Sequence, residues 1–127
     1  MDRKEVVKFW FTSSADDLDT AKKLFETQKY HYALYFCQMA IEKQIKGLIV
    51  EKSDQHATRT HDLITLAEQL GLNLSPNHLE QFRTITQFNL NARYDTYKRN
   101  FYHKATKSYA TQWLKITKDI LLWLKKQ

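Results

Sequence analysis

Apolar residues recur along the chain at steps of three and four. Between Tyr30 and Leu48 they fall at Ala33, Phe36 or Cys37, Ala40 or Ile41, Ile45 and Leu48, the spacing of one helix face and not the alternation of a strand. This stretch predicts a helix from about His31 to Val50. Gly47 within it costs roughly 1 kcal/mol relative to Ala, which implies close packing against a neighbour. Upstream, Val6, Val7, Trp10, Leu18, Ala21, Leu24 and Phe25 form a stripe over about Arg3 to Thr27. Thr12-Ser13-Ser14 is a weak patch where that helix is expected to bend or restart. Downstream, Leu63, Leu66, Ala67 and Leu70 mark a third helix beginning near Thr60, with Asp62 in its first turn. Gly71 provides a left-handed stop, onto which Leu72 folds back. Ser75-Pro76 opens a fourth helix, a capping hydroxyl followed by Pro at the first helical position. Leu79, Phe82, Ile85 and Phe88 point one way along it, and Asn89-Leu90-Asn91 weakens its end. Ala105, Tyr109, Trp113, Ile116, Ile120 and Trp123 define a last helix over about Phe101 to Lys125. Glu51 to Arg59 is polar, has no period and reads as a mobile loop.

Two Gly and one Pro in 127 residues are too few for a β-sandwich or barrel, which needs a turn every ten residues or so. The length suits a single domain, residues 1–127. The fold expected is therefore all-α, a compact antiparallel up-and-down bundle of four to five helices. The formal charge is +6, which is compatible with nucleic acid, nucleotides or an acidic partner and proves none of them. One cysteine, Cys37, lies inside the apolar pattern and reads as a small buried side chain, not a nucleophile. It allows no internal disulfide, and no Cys/His cluster has zinc spacing, so neither a metal nor a cofactor is expected. The N-terminal stretch lacks an apolar signal core, and no segment approaches eighteen uninterrupted apolar residues. A cytoplasmic, soluble protein with no membrane association is expected.

Polar residues then add detail to the second helix. Gln38, Glu42 and Lys46 follow at four-residue steps and lie along a single line, with Lys43 beside it. The line is either a solvated Glu42–Lys46 pair worth a few tenths of a kcal/mol or the wall of a polar groove, and spacing alone favours the former. The densest chemistry lies between Asn91 and Lys104, where Arg93, Lys98, Arg99 and Lys104 interleave with Tyr94, Tyr97, Phe101 and Tyr102. Arg offers a fork to phosphate and aromatic rings offer faces to bases; alternatively the rings are core and the cations face solvent. His61 either pairs with Asp62, points into a groove beside the second helix, or simply helps a helix start. No nucleophile elbow and no Gly-rich phosphate loop is present.

An ordered set of short motifs covers nearly the whole chain: Ala15-Asp16-Asp17-Leu18 with Ala21 and Leu24, Tyr30 with Ala33, Gln38-Met39-Ala40-Ile41-Glu42-Lys43 with Lys46, Thr60-His61-Asp62-Leu63 with Leu66, and Ala92-Arg93-Tyr94. Together these resemble the HEPN domain family. The resemblance implies a compact, usually dimeric helical bundle that acts with a minimal nucleotidyltransferase, often as a toxin–antitoxin pair. It also implies nucleotide binding and, in a subset, metal-independent RNA cleavage. The family's Arg-Tyr-Pro is here Arg93-Tyr94-Asp95, and without that Pro the helix is free to continue. The ribonuclease subset places four to six residues between an Arg and a His. Here nine separate Arg93 from His103, three separate Arg99 from His103, and one separates Arg59 from His61.

Two functions remain. The first is a non-catalytic module presenting Gln38, Glu42, Lys43, Lys46, His61, Arg93 and Tyr94 to a nucleotide or a partner nucleotidyltransferase, as a homodimer whose interface uses apolar residues left over from the core. In it Lys46 and Arg93 hold phosphate, Tyr94 stacks on a base and Glu42 orients a basic neighbour. The second is a ribonuclease in which His103 is the acid/base and Arg93 or Arg99 stabilises the phosphorane. The first is the stronger reading. For Arg93 the leading expectation is a structural clamp on Glu42, with a secondary role in binding.

Overall fold

The computed structural model describes residues 2–127, and every regular element among them is a helix. The order is α1 (Arg3–Glu26), α2 (Tyr30–Ser53), α3 (Leu63–Leu70), α4 (Pro76–Arg93), α5 (Asn100–Lys104) and α6 (Lys107–Lys125). The four long helices make the antiparallel up-and-down bundle expected from the periodicity, and the two short ones fill its connections.

α2 is the central helix, touched by every other element. Ala33, Leu34, Cys37, Ala40, Ile41, Ile45, Leu48, Ile49 and Val50 are all buried, so it is apolar on more than one side and needs neighbours around it. α3 contributes Leu63, Leu66 and Ala67, α4 contributes Phe82, Ile85 and Phe88, and α6 contributes Ile120, Leu121 and Leu124 to the same core. Phe88 joins α4 to α6, its ring meeting Trp113 edge-on at 5.6 Å and Tyr109 at 6.1 Å. Gly47 fulfils its expected role: a Cβ there would lie 2.5 Å from the Phe11 ring and 3.0 Å from Trp10 Cβ. α1 therefore seats closely on α2.

Several boundaries differ from the sequence reading, each for a local reason. α1 runs unbroken through Thr12-Ser13-Ser14, because the buried Ser14 hydroxyl donates to the Ala40 carbonyl at 2.7 Å and leaves the helix ladder intact. Asp62 is the N-cap of α3, not part of its first turn; it accepts from Ile64 N at 3.1 Å and from the Thr65 hydroxyl at 2.9 Å. Gly71 closes α3 with φ +79°, and Leu72 N returns to the Ala67 carbonyl at 2.9 Å, as the stop signal predicted. The last predicted helix is two: Thr106 breaks it by capping α6, accepting from Tyr109 N at 3.2 Å. α2 runs three residues past Val50, and the loop beyond is tied down. The Gln69 side chain accepts from Thr58 N at 2.9 Å and donates to the His56 carbonyl at 3.0 Å. Arg3 donates to the Val50 carbonyl at 3.1 Å from the other side. No helix among the described residues is long and apolar enough to cross a membrane.

Candidate functional site

The polar line of α2 is buried, not solvated. Gln38, Glu42 and, on α4, Asn89 are almost wholly inaccessible. Buried polar groups need partners, and these form one continuous chain of hydrogen bonds. Arg93 Nε donates to Asn89 Oδ1 at 2.8 Å. Asn89 Nδ2 donates to Gln38 Oε1 at 2.8 Å. Gln38 Nε2 then donates to Glu42 Oε1 and to the His61 carbonyl, each at 2.9 Å. The carboxylate completes its set with Lys46 Nζ on Oε2 at 3.0 Å and His61 Nδ1 on Oε1 at 2.7 Å. The four-residue rise of α2 places Gln38, Glu42 and Lys46 in line, the same rise on α4 stacks Asn89 under Arg93, and the cap of α3 sets His61 over Glu42.

The two ends of this chain reach the surface. At one end the Arg93 guanidinium lies 5.0 Å from the centre of the Tyr94 ring, which is 69% exposed. No carboxylate among the described residues comes within ion-pair distance of Arg93, an exposed residue whose Nε alone is hydrogen-bonded. At the other end the His61 side chain is 51% exposed, and Lys46 lies 5.5 Å from the Trp10 ring centre. The expected direct clamp of Arg93 on Glu42 does not form. Glu42 is saturated by Gln38, Lys46 and His61, and Arg93 reaches it only through Asn89 and Gln38.

Six of the seven proposed ligand-binding residues thus lie along one connected path: Gln38, Glu42, Lys46, His61, Arg93 and Tyr94. Lys43 is turned away toward α1, its Nζ 2.8 Å from Asp17 Oδ2, close in distance but out of line for a hydrogen bond. One residue on from Glu42 rotates a side chain about 100° around the helix, enough to place it against another neighbour. Asn89 is the member that sequence reasoning missed. Composition marks it only as a helix weakener, and the available signal was an amide four residues after Ile85 on an apolar stripe.

The stretch after Arg93 is organised locally. α4 stops at Arg93 with Tyr94 as its C-cap and does not continue, despite the missing Pro. Asp95 takes over: its carboxylate accepts from Thr96 N at 2.8 Å and from Phe101 N and Tyr102 N at 3.0 Å each. Partial desolvation works to raise its pKa, but these three N–H groups and Arg99 outweigh it and hold the carboxyl below its ordinary value. Arg99 adopts φ +57° and lays its guanidinium 3.6 Å from the Tyr102 ring centre. His103 meets the same tyrosine edge-on at 5.3 Å. Tyr102 in turn packs on His31 at 5.0 Å. Cys37 is fully buried, and burial pushes its thiol up to about 12, which removes it as a nucleophile.

The family model described as HEPN domain matches residues 7–127. TT1696 from Thermus thermophilus superposes with a TM-score of 0.81 at 18% identity, covering 99% of this chain and 98% of that one. ST0689, an archaeal HEPN homologue, gives 0.76 at 22% identity, covering 100% and 98%. No curated protein matches the chain.

Proposed function

The chain belongs to the HEPN domain family, and from that membership we propose that it is a non-catalytic helical module that binds a nucleotide, a partner minimal nucleotidyltransferase, or both, as one half of a toxin–antitoxin-like pair. The observation that carries this reading is the state of Arg93. Its Nε is anchored on a buried amide, its guanidinium lies 5.0 Å from the ring centre of an exposed tyrosine, and no carboxylate among the described residues lies within ion-pair distance of it. A guanidinium held in that way offers its two remaining nitrogens as a fork to a phosphate, and Tyr94 offers a face to a base. The net charge of +6 favours an anionic ligand or an acidic partner surface.

The buried chain beneath Arg93 supports the reading physically. A binding group is effective when it is preorganised, because the entropy of ordering it has already been lost on folding. Asn89, Gln38 and Glu42 give Arg93 that support without cancelling its charge locally. Titration calorimetry with ATP, ADP and AMP tests the proposal, together with co-purification against a minimal nucleotidyltransferase expressed beside it. The expected result is binding that weakens about tenfold or more in Arg93→Gln, the loss of one bidentate phosphate contact. Absence of both nucleotide and nucleotidyltransferase binding by the unaltered chain overturns it.

A further inference from the structure

We propose that His61 is a phosphoryl-acceptor site: its Nε2, turned outward by the bond that Nδ1 makes to buried Glu42, is a nucleophile for a small phosphoryl donor of high transfer potential. This goes beyond the binding reading and does not require it.

The tautomer follows from the hydrogen bonds. The carboxylate of Glu42 is approached by Gln38 Nε2 at 2.9 Å, Lys46 Nζ at 3.0 Å and His61 Nδ1 at 2.7 Å. The first two are donors only at those atoms, and the carboxylate is the acceptor for all three. Nδ1 therefore carries the proton, and the lone pair of the neutral ring resides on Nε2. The main chain beneath the ring is held as well, since Gln38 Nε2 donates to the His61 carbonyl at 2.9 Å. With half of the side chain exposed and the buried carboxylate at its back, the free nitrogen faces solvent.

His61 is distinct from the other histidines of the chain. It is the one histidine among the described residues that lies against a carboxylate. His56 and His103 are exposed without such a partner. His31 is packed on Tyr32 at 3.9 Å and Tyr102 at 5.0 Å, and His78 lies on Trp123 at 4.2 Å. A carboxylate on the far nitrogen fixes ring orientation and stabilises the imidazolium that forms on attack.

The step balances simply. With phosphoramidate as donor, the Nε2 lone pair attacks phosphorus, a new N–P bond forms, and the donor's P–N bond breaks. Ammonia leaves with the proton that the donor nitrogen already carries. The proton on Nδ1 stays in place, hydrogen-bonded to Glu42, which offsets the charge gained by the ring. No oxidant, metal or second substrate is consumed.

Potassium phosphoramidate is the probe, with incorporation followed by phosphorus NMR and by peptide mapping at alkaline pH. His61 is expected to be labelled on Nε2 about tenfold faster than His56 and His103 of the same chain, because its carboxylate partner orients the ring and stabilises the imidazolium formed. Because those two serve as references within the unaltered protein, the comparison does not depend on any variant folding. In Glu42→Gln, where it folds by circular dichroism, the His61 rate is expected to fall to that of His56. Equal labelling of the three histidines, labelling of His61 on Nδ1, or an unchanged His61 rate in folded Glu42→Gln each overturns the proposal. Nucleotide binding plays no part in this assay, so its failure and failure of the binding reading are separate results.

Discussion

Glu42 is the most consequential single residue, because a charge out of water must be compensated where it sits. Three donors meet it, and the Glu42→Ala variant would leave Lys46 and His61 without this acceptor and Gln38 Nε2 with only the His61 carbonyl. That substitution is expected to cost on the order of 3 kcal/mol, read as a lower midpoint in urea. Arg93→Ala acts at the far end of the same chain. It leaves only the Asn89 oxygen without a donor, so the expected cost is about 1 kcal/mol alongside weakened nucleotide binding. A loss near that of Glu42→Ala would show that the chain transmits more than its nearest links. The four-residue spacing makes Gln38, Glu42 and Lys46 visible as a line in the sequence. What spacing cannot show is that the line is buried, since burial depends on which helix lies over it. The link from Arg93 through Asn89 is hidden for the same reason: Asn89 meets Gln38 across α2 and α4, 51 residues apart in the chain.

At the scale of elements, periodicity locates the long helices because each needs an apolar face toward a shared core. The misplaced boundaries are places where one side chain overrides propensity: Ser14 bonding across to α2, Thr106 capping α6 and Asp95 gathering the N–H groups of α5. Gly47 is legible from helix propensity alone, and the structure supplies its reason. In Gly47→Ala the roughly 1 kcal/mol gained from propensity opposes the approach to Trp10 Cβ and the Phe11 ring. The ring can turn but the Trp10 Cβ is fixed to its helix, so a net loss of about 1–2 kcal/mol is expected, measured by thermal unfolding. The contact of α2 with α5 carries a pH dependence through His31. Burial, reinforced by Arg99 and Lys29 and opposed by Asp95, lowers its pKa in the folded chain. Its neutral form is therefore the one the fold favours. The contribution is fully present above the unfolded value of about 6.5 and is lost as pH falls through the folded value. The melting temperature is expected to fall between neutral and mildly acidic pH, and less steeply in His31→Phe; parallel curves for the two proteins would remove His31 as the cause.

The whole molecule leaves apolar surface that its own core does not use. α1 buries only Ser14, Asp17 and Ala21 fully, while Phe9 remains 49% exposed and Leu122 on α6 58%. Between α1, α2 and α6 runs a groove of about 680 Å³ walled by Phe11, Ala15, Leu18, Leu48 and Leu121. Its rim carries Asp19 and Glu51 against Lys22 and Lys125, a local balance of charge in a chain that is +6 in total. A second copy meeting most of this surface would be repelled, but at this rim acid can face base in both directions, as a two-fold interface requires. We therefore expect a homodimer joined along α1 and α6, with light scattering giving about twice the 15.2 kDa of one chain. Ala15 is exposed in the single chain, so Ala15→Arg should leave its fold and melting behaviour within about 0.5 kcal/mol of the parent while placing a large charge in the apolar groove of each partner. The expected outcome is a folded monomer. A dimer that survives Ala15→Arg would move the interface elsewhere, and a monomeric parent chain would mean that the apolar residues along α1 are spare surface after all.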